Sequence, residues 1–130
     1  MKLGKSTDSS SATHVYEIAN RLETTFPYLE QDFRHAELEI FLVFRCLPRA
    51  LGRKTTRRYA KAENVLYLDM TFAEEELLGL TWSDQESVIA DVFFAYLEET
   101  LQKYRFAGLD ASRFVSRFRE VAREQGWGHR

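Results

Sequence analysis

The feature that most constrains the fold of this chain is a pair of stretches, residues 37–47 and 64–72, in which every second residue is apolar. This period of two is that of a β-strand with one buried face. In the first stretch Phe41 and Val43 make the second face apolar as well, which is typical of a strand in the middle of a sheet. Because two strands alone are marginally stable, we expect a small antiparallel sheet that either residues 56–61 or a partner chain completes. The alternating apolar positions are Leu38, Ile40, Leu42, Phe44 and Cys46 in the first stretch and Leu66, Leu68, Met70 and Phe72 in the second.

Three segments carry apolar residues at helical spacing, and they flank the two predicted strands. The first covers residues 14–25. The second runs from about Asp84 to Tyr104, where Ser83 and Glu86 have the spacing of a capping box at its start. The third is shorter and follows Asp110. These patterns predict an α+β fold, in which an N-terminal helix and two C-terminal helices pack on the sheet.

The size of the chain fits one domain. Its 130 residues are 45% apolar and 29% charged, which suits a single self-supporting core. Residues 1–12 are polar and rich in Ser and Thr, so we expect a flexible tail before a domain that spans residues 13–130. No apolar run approaches the roughly 20 residues of a membrane helix, and no secretory pattern follows Lys2 and Lys5. With Cys46 as the single cysteine, these features predict a cytoplasmic protein.

Charge is segregated along the chain, although the net charge is only -2. Residues 48–62 carry six basic side chains and no acid, whereas residues 63–102 carry ten acids and no Lys or Arg. From Lys103 onward seven basic residues outnumber three acids. An acidic middle thus lies between two basic flanks, and each region is a candidate for contact with a partner of opposite charge.

Asp69 and three consecutive glutamates, Glu74, Glu75 and Glu76, raise the question of catalysis or metal binding. Adjacent residues in a strand point to opposite faces, and those in a helix diverge by about 100°, so these carboxylates cannot all converge on one point. We interpret the glutamates as the first turn of a short helix, residues 73–78, where acids favour the positive end of the helix dipole. No GxSxG, paired CxxC or Gly-rich phosphate loop occurs. The sequence therefore predicts neither an enzyme nor a metal or cofactor site.

An acidic stripe is predicted on the second helix, which runs from about Asp84 to Tyr104. Asp84, Asp91 and Glu98 are seven residues apart, which places them on one side of that helix. Phe94 lies at the edge of the stripe. An aromatic ring bordered by carboxylates is typical of a docking surface for a basic protein, because the acids steer association and the ring can supply a binding hot spot. The alternative is that Phe94 is buried under another element.

A basic segment, residues 53–61, favours a different function, nucleic-acid binding. Clustered cations next to an aromatic ring can contact phosphates and stack a base. The segment is short, however, and the other interpretation is that it forms an exposed hairpin or neutralises the acidic middle of the same chain. The candidate residues are Arg53, Lys54, Arg57, Arg58, Tyr59 and Lys61.

The run ENVLYLDMTFAEEELLGLTWSDQESVIADVFFAYLEETLQKYRFAGLD combines a strand, an acidic turn and a long helix. In this arrangement of elements, and over roughly residues 14–125, the chain resembles small bacterial immunity proteins that protect cells from polymorphic or contact-dependent toxins. That class has many unrelated folds and no shared catalytic motif, so the resemblance carries over no site residue. It implies a cytoplasmic binding protein that blocks a cognate toxin, often a basic nuclease, with acidic side chains.

The expected function is therefore stoichiometric binding and neutralisation of a protein toxin without catalysis. Nucleic-acid binding by residues 53–61 is the alternative. The predicted partner-binding residues are Asp69, Glu74, Glu75, Glu76, Asp84, Asp91, Phe94 and Glu98.

Overall fold

The computed structural model describes residues 3–4, 14–47, 56–106 and 108–127 of the chain. The strands are β1 (Leu3–Gly4), β2 (Glu39–Leu47), β3 (Thr56–Ala62) and β4 (Val65–Ala73). The α-helices are α1 (Val15–Glu23), α2 (Glu30–His35), α3 (Glu74–Leu77), α4 (Trp82–Tyr104) and α5 (Ala111–Glu124), and a 3-10 helix covers Phe26–Leu29. The predicted α+β class is thus confirmed.

The four strands form one mixed sheet in the order β1-β2-β4-β3. The central strands β2 and β4 run parallel, in a register that pairs Glu39 with Val65 and Leu47 with Ala73. β3 is antiparallel to β4. The prediction of an antiparallel sheet is therefore wrong for the two strands on which it was based.

The parallel pairing follows from the place of β3 in the chain. β3 and β4 form a hairpin whose turn consists of Glu63 and Asn64, so β4 runs opposite to β3. The hairpin places β4 beside β2 and leaves β3 at the edge of the sheet. In the sequence β3 comes between β2 and β4. Because the chain reverses direction at the turn between β3 and β4, β4 runs in the same direction as β2. Residues 56–61, one of the two predicted ways to complete the sheet, are confirmed as part of its third long strand.

Leu3 and Gly4 form the other edge of the sheet, where they pair in parallel with Leu42 and Val43 of β2. These two residues belong to the segment predicted to be a flexible tail, and the rest of residues 1–12 lies outside the described part of the chain. Strand pairing is made by backbone groups, so the polar composition of the segment did not predict it.

One face of the sheet is buried, as the alternation predicted. The eight predicted apolar positions within β2 and β4 are at most 2% exposed. On the opposite face Phe41 and Asp69 are half-buried and Tyr67 is 45% exposed. The buried face carries the helices: Phe93 of α4 lies 6.0 Å, between ring centroids, from Phe44 of β2.

A cluster of aromatic rings joins α4 and α5 to the 3-10 helix. The ring of Phe118 on α5 lies 5.8, 5.7 and 5.4 Å from those of Phe26, Phe93 and Phe94, in edge-to-face geometry. Such pairs contribute about 0.5–1.5 kcal/mol beyond the area they bury. They fix α5 against the flank of α4.

The start of α4 differs from the prediction. The Thr81 hydroxyl accepts a hydrogen bond from the Asp84 N–H at 3.1 Å and caps a helix that begins at Trp82. Ser83 lies inside the first turn and Glu86 is buried, so the predicted capping box is wrong. Threonine and serine are both good capping residues, and the sequence pattern alone does not distinguish between them.

Replacing Thr81 with alanine is expected to lower the free energy of unfolding by about 1 kcal/mol, because the Asp84 N–H loses its acceptor. Ser83→Ala is the matched control and should change that free energy by less than about 0.5 kcal/mol. Urea denaturation of both variants measures the difference. Equal losses would contradict the assignment of Thr81 as the cap.

Candidate functional site

The acids predicted on the long helix lie along one side of α4. Asp84 and Asp91 are exposed and Glu98 is half-buried. Successive members of the set stand seven residues, or about 10 Å, apart along the helix axis. Ser87 and Ala95 on the same helix are also exposed, and because both are small they leave the carboxylates prominent.

The three consecutive glutamates form the first turn of α3, as predicted. Glu75 and Glu76 are exposed and Glu74 is half-buried. Residues 78–81 join α3 directly to α4, so the two groups of acids follow one another in the chain. We call Glu74–Glu76 of α3, together with Asp84, Asp91 and Glu98 of α4, the acidic helical surface.

Asp69 does not belong to that surface. Its neighbours in β4, Leu68 and Met70, point into the core beneath the helices, so Asp69 lies on the opposite face of the sheet. There its Oδ2 accepts a hydrogen bond from Arg45 Nη1 at 2.7 Å, between side chains that are 26% and 44% exposed. The Phe41 and Tyr67 rings stack on the same face, with centroids 5.4 Å apart. The structure thus separates Asp69 from the other predicted acids and neutralises part of its charge.

The interpretation of Phe94 as an exposed hot spot is wrong. Its side chain is 1% exposed, and its ring lies 4.9 Å from that of Phe93 and 5.4 Å from that of Phe118. The guanidinium of Arg119 stacks 4.9 Å from the ring centroid. Because α5 packs beside α4, the edge of the acidic stripe is covered, which is the alternative that the sequence left open.

The basic segment is described only in part. Arg53 and Lys54 lie outside the described residues. Arg57, Arg58, Tyr59 and Lys61 belong to β3, where the backbone of Arg58 pairs with that of Asp69. Their place on an edge strand agrees with the predicted hairpin, and the nucleic-acid alternative stays a prediction.

A cleft of about 810 Å³ lies between α2 and the start of α5. Within it Arg117 Nε donates a hydrogen bond to Asp32 Oδ2 at 2.9 Å. This hydrogen bond and the negative charge of Asp32 raise the pKa of Arg117. The cleft also contains Arg34, Arg113 and Asp110, so cations and carboxylates share its walls. No sequence pattern predicted this site, because its walls come from two distant parts of the chain.

A family comparison supplies the identity that geometry alone does not. The model of the family described as Immunity protein 44 matches residues 1–124. The chain belongs to the Immunity protein 44 family. This confirms the predicted resemblance to immunity proteins of toxin systems, and it identifies the partner as a toxin that the protein neutralises.

For this immunity protein, comparison with curated proteins and comparison with solved structures found no significant match. Among the described residues no helix is long and apolar enough to cross a membrane. In the same part of the chain, no group of three or more His, Cys, Asp or Glu side chains is arranged to hold a metal ion.

A groove of about 370 Å³ lies beside the start of β2. No sequence pattern predicted this groove. The groove is built from residues 23–40, where a turn, a short helix and a strand meet. The only signal in this stretch is the closeness of apolar and acidic residues in the sequence, which is too common to single it out.

Proposed function

We propose that this immunity protein neutralises its toxin by binding it stoichiometrically, without catalysis, through the acidic helical surface. The observation that supports this most is the exposure of Asp84 and Asp91 along α4, within residues 63–102, which contain no Lys or Arg. No Lys or Arg within this stretch of sequence is available to pair with these carboxylates. A partner with a basic surface can pair with them.

Such a surface acts mainly on the rate of association. Opposite charges steer two proteins together and raise the association rate constant, and salt weakens this effect. The toxin that fits has a basic face. Nucleases are one class with this property, because they must themselves hold the phosphate backbone of their substrate.

The spacing of the acids supports binding rather than catalysis. In glycosidases, for example, the two catalytic carboxylates stand roughly 5–10 Å apart and face each other across the bound sugar. Along α4 successive acids stand about 10 Å apart on a convex helix surface, where a substrate would meet one carboxylate at a time. The same spacing suits a partner that presents several separate cations.

The proposal is tested with the double variant Asp84→Asn and Asp91→Asn. The toxin is first identified as a protein that co-purifies with the wild-type chain and kills cells when expressed alone. At low ionic strength the variant is expected to associate with this toxin about tenfold more slowly than the wild type, because two steering charges are lost. Stopped-flow association rates at several salt concentrations give the measurement.

Glu120→Gln combined with Glu124→Gln is the matched control, since both residues are exposed on α5 and the change in net charge is the same. The control should associate nearly as fast as the wild type. An equal effect of both double variants, or no effect of either in folded protein, overturns the acidic helical surface as the binding site. Protection that instead depends on nucleic acid, and is lost when Arg57 and Arg58 are neutralised, replaces the proposal with the nucleic-acid alternative.

A further inference from the structure

The groove beside the start of β2 has an apolar floor and an acidic rim. Its floor includes Phe26 and Leu38, which are almost fully buried, and Phe33, which is half-buried. Glu23, at the end of α1, and Glu39, the first residue of β2, lie on its rim. Its volume of about 370 Å³ is near the lower end of the roughly 300–1,000 Å³ of ligand pockets, so it suits a side chain or a short segment.

The charged side chains that line the groove are all acidic. Glu30 also lines it, but this carboxylate forms an ion pair with Arg34 one turn further along α2. Glu23 and Glu39 remain as the carboxylates that can act on an occupant. Among the described residues that line the groove, none is a Lys, Arg or His.

This combination matches a particular chemical group. Lysine and arginine side chains have an apolar stem and a charged end, and they bury the stem while the charge stays near water. The stem would lie on Phe33 and Leu38, and the charge would reach the carboxylates on the rim. Arginine fits better than lysine, because its planar guanidinium stacks on aromatic rings and forms two parallel hydrogen bonds with a carboxylate.

The backbone around the groove is held by hydrogen bonds. The Leu38 N–H donates to the Phe33 carbonyl at 2.8 Å, and the Glu39 N–H donates to the Asn64 carbonyl at 3.0 Å. Glu37, the residue just before Leu38, has a φ of 53°, which turns the chain from α2 into β2. A site whose walls are fixed before binding loses less conformational entropy on binding. The groove is thus suited to be an anchor point.

We propose that this groove receives a basic side chain of the toxin, arginine by preference, and holds it as an anchor of the complex. The inference rests on the proposed function, since it takes the partner to be a toxin with a basic surface. It adds a second role: the acidic helical surface speeds association, whereas the groove slows dissociation. Charges that stay exposed to solvent act mainly on association, whereas a charge pair that the docked toxin covers, as proposed at the groove, acts mainly on dissociation.

The test compares Glu23→Gln combined with Glu39→Gln against the control Glu120→Gln combined with Glu124→Gln. Both double variants remove the same charge. The groove variant is expected to raise the dissociation rate constant of the toxin complex at least about tenfold, with a much smaller change in association, because a cation that the docked toxin covers loses its carboxylates. Surface plasmon resonance with the purified toxin measures both rates.

A double-mutant cycle then locates the anchor on the toxin. Each exposed Arg and Lys of the toxin is replaced by alanine in turn and measured against wild type and Glu39→Gln. One basic residue is expected to account for most of the coupling. Wild-type dissociation of the folded groove variant, or coupling to no single basic residue, overturns the inference. Failure of the proposed function is seen separately, since then the Asp84 and Asp91 variant associates at the rate of its control.

Discussion

Replacing Phe94 with alanine is expected to lower the free energy of unfolding by about 3–5 kcal/mol, the range typical of truncated buried phenylalanines. Phe94 is 1% exposed, and its ring contacts those of Phe93 and Phe118, so the change opens a cavity between α4 and α5. The Arg119 guanidinium would also lose the ring on which it stacks. Chemical denaturation followed by circular dichroism measures the loss.

Tyr28→Ala is the control for the Phe94 variant, because Tyr28 is an aromatic residue with 57% exposure. Its replacement should change the free energy of unfolding by less than about 0.5 kcal/mol. The toxin affinity of the fraction of the Phe94 variant that remains folded should stay close to that of the wild type. Unchanged stability combined with a large loss of affinity would show instead that the ring faces the toxin.

Phe94 illustrates what helical spacing can predict. The spacing correctly placed Asp84 and Asp91 on an exposed side of α4, because that depends only on the pitch of the helix. Whether the edge of the stripe is covered depends on where α5 packs. That position is set by Phe118, which is more than twenty residues further along the chain and contacts Phe26, Phe93 and Phe94.

The sheet shows a similar limit on what a sequence pattern can predict. The alternation of apolar residues correctly predicted which face of β2 and β4 is buried, because side chains in a strand alternate between two faces whatever the direction of the strand. The alternation contains no information on direction. The parallel pairing of β2 with β4 depends on the hairpin with β3, which places β4 between the other two long strands.

The candidate sites differ in how far the sequence could predict them, and the reason is related. The acidic helical surface comes from two consecutive helices, so a local pattern of charges was enough to predict it. Asp69 belongs to the predicted set because it is close in sequence, but the period of two in β4 places it on the opposite face of the sheet. The groove joins the end of α1 to the start of β2, and that contact depends on the fold.

Gln85 is a buried polar residue that joins three segments of the chain. It is fully buried; its Oε1 accepts a hydrogen bond from the His14 N–H at 2.8 Å, and its Nε2 donates one to the Leu80 carbonyl at 3.2 Å. It thereby connects the start of α1 and the loop before α4 to α4 itself. In the sequence it stands among polar residues at a helix start, where an exposed side chain is the ordinary expectation.

Replacing Gln85 with leucine is expected to lower the free energy of unfolding by about 2–4 kcal/mol, because each buried backbone group left without a partner costs about 1–3 kcal/mol. Gln102→Leu, on the exposed side of the same helix, is the matched control. Urea denaturation compares the two variants, and hydrogen exchange should show faster exchange of the His14 and Ile18 amides in the first variant only. If both variants lose the same stability, the hydrogen bonds of Gln85 do not hold α1 to α4, and packing of Val15 and Ile18 against the core must do so alone.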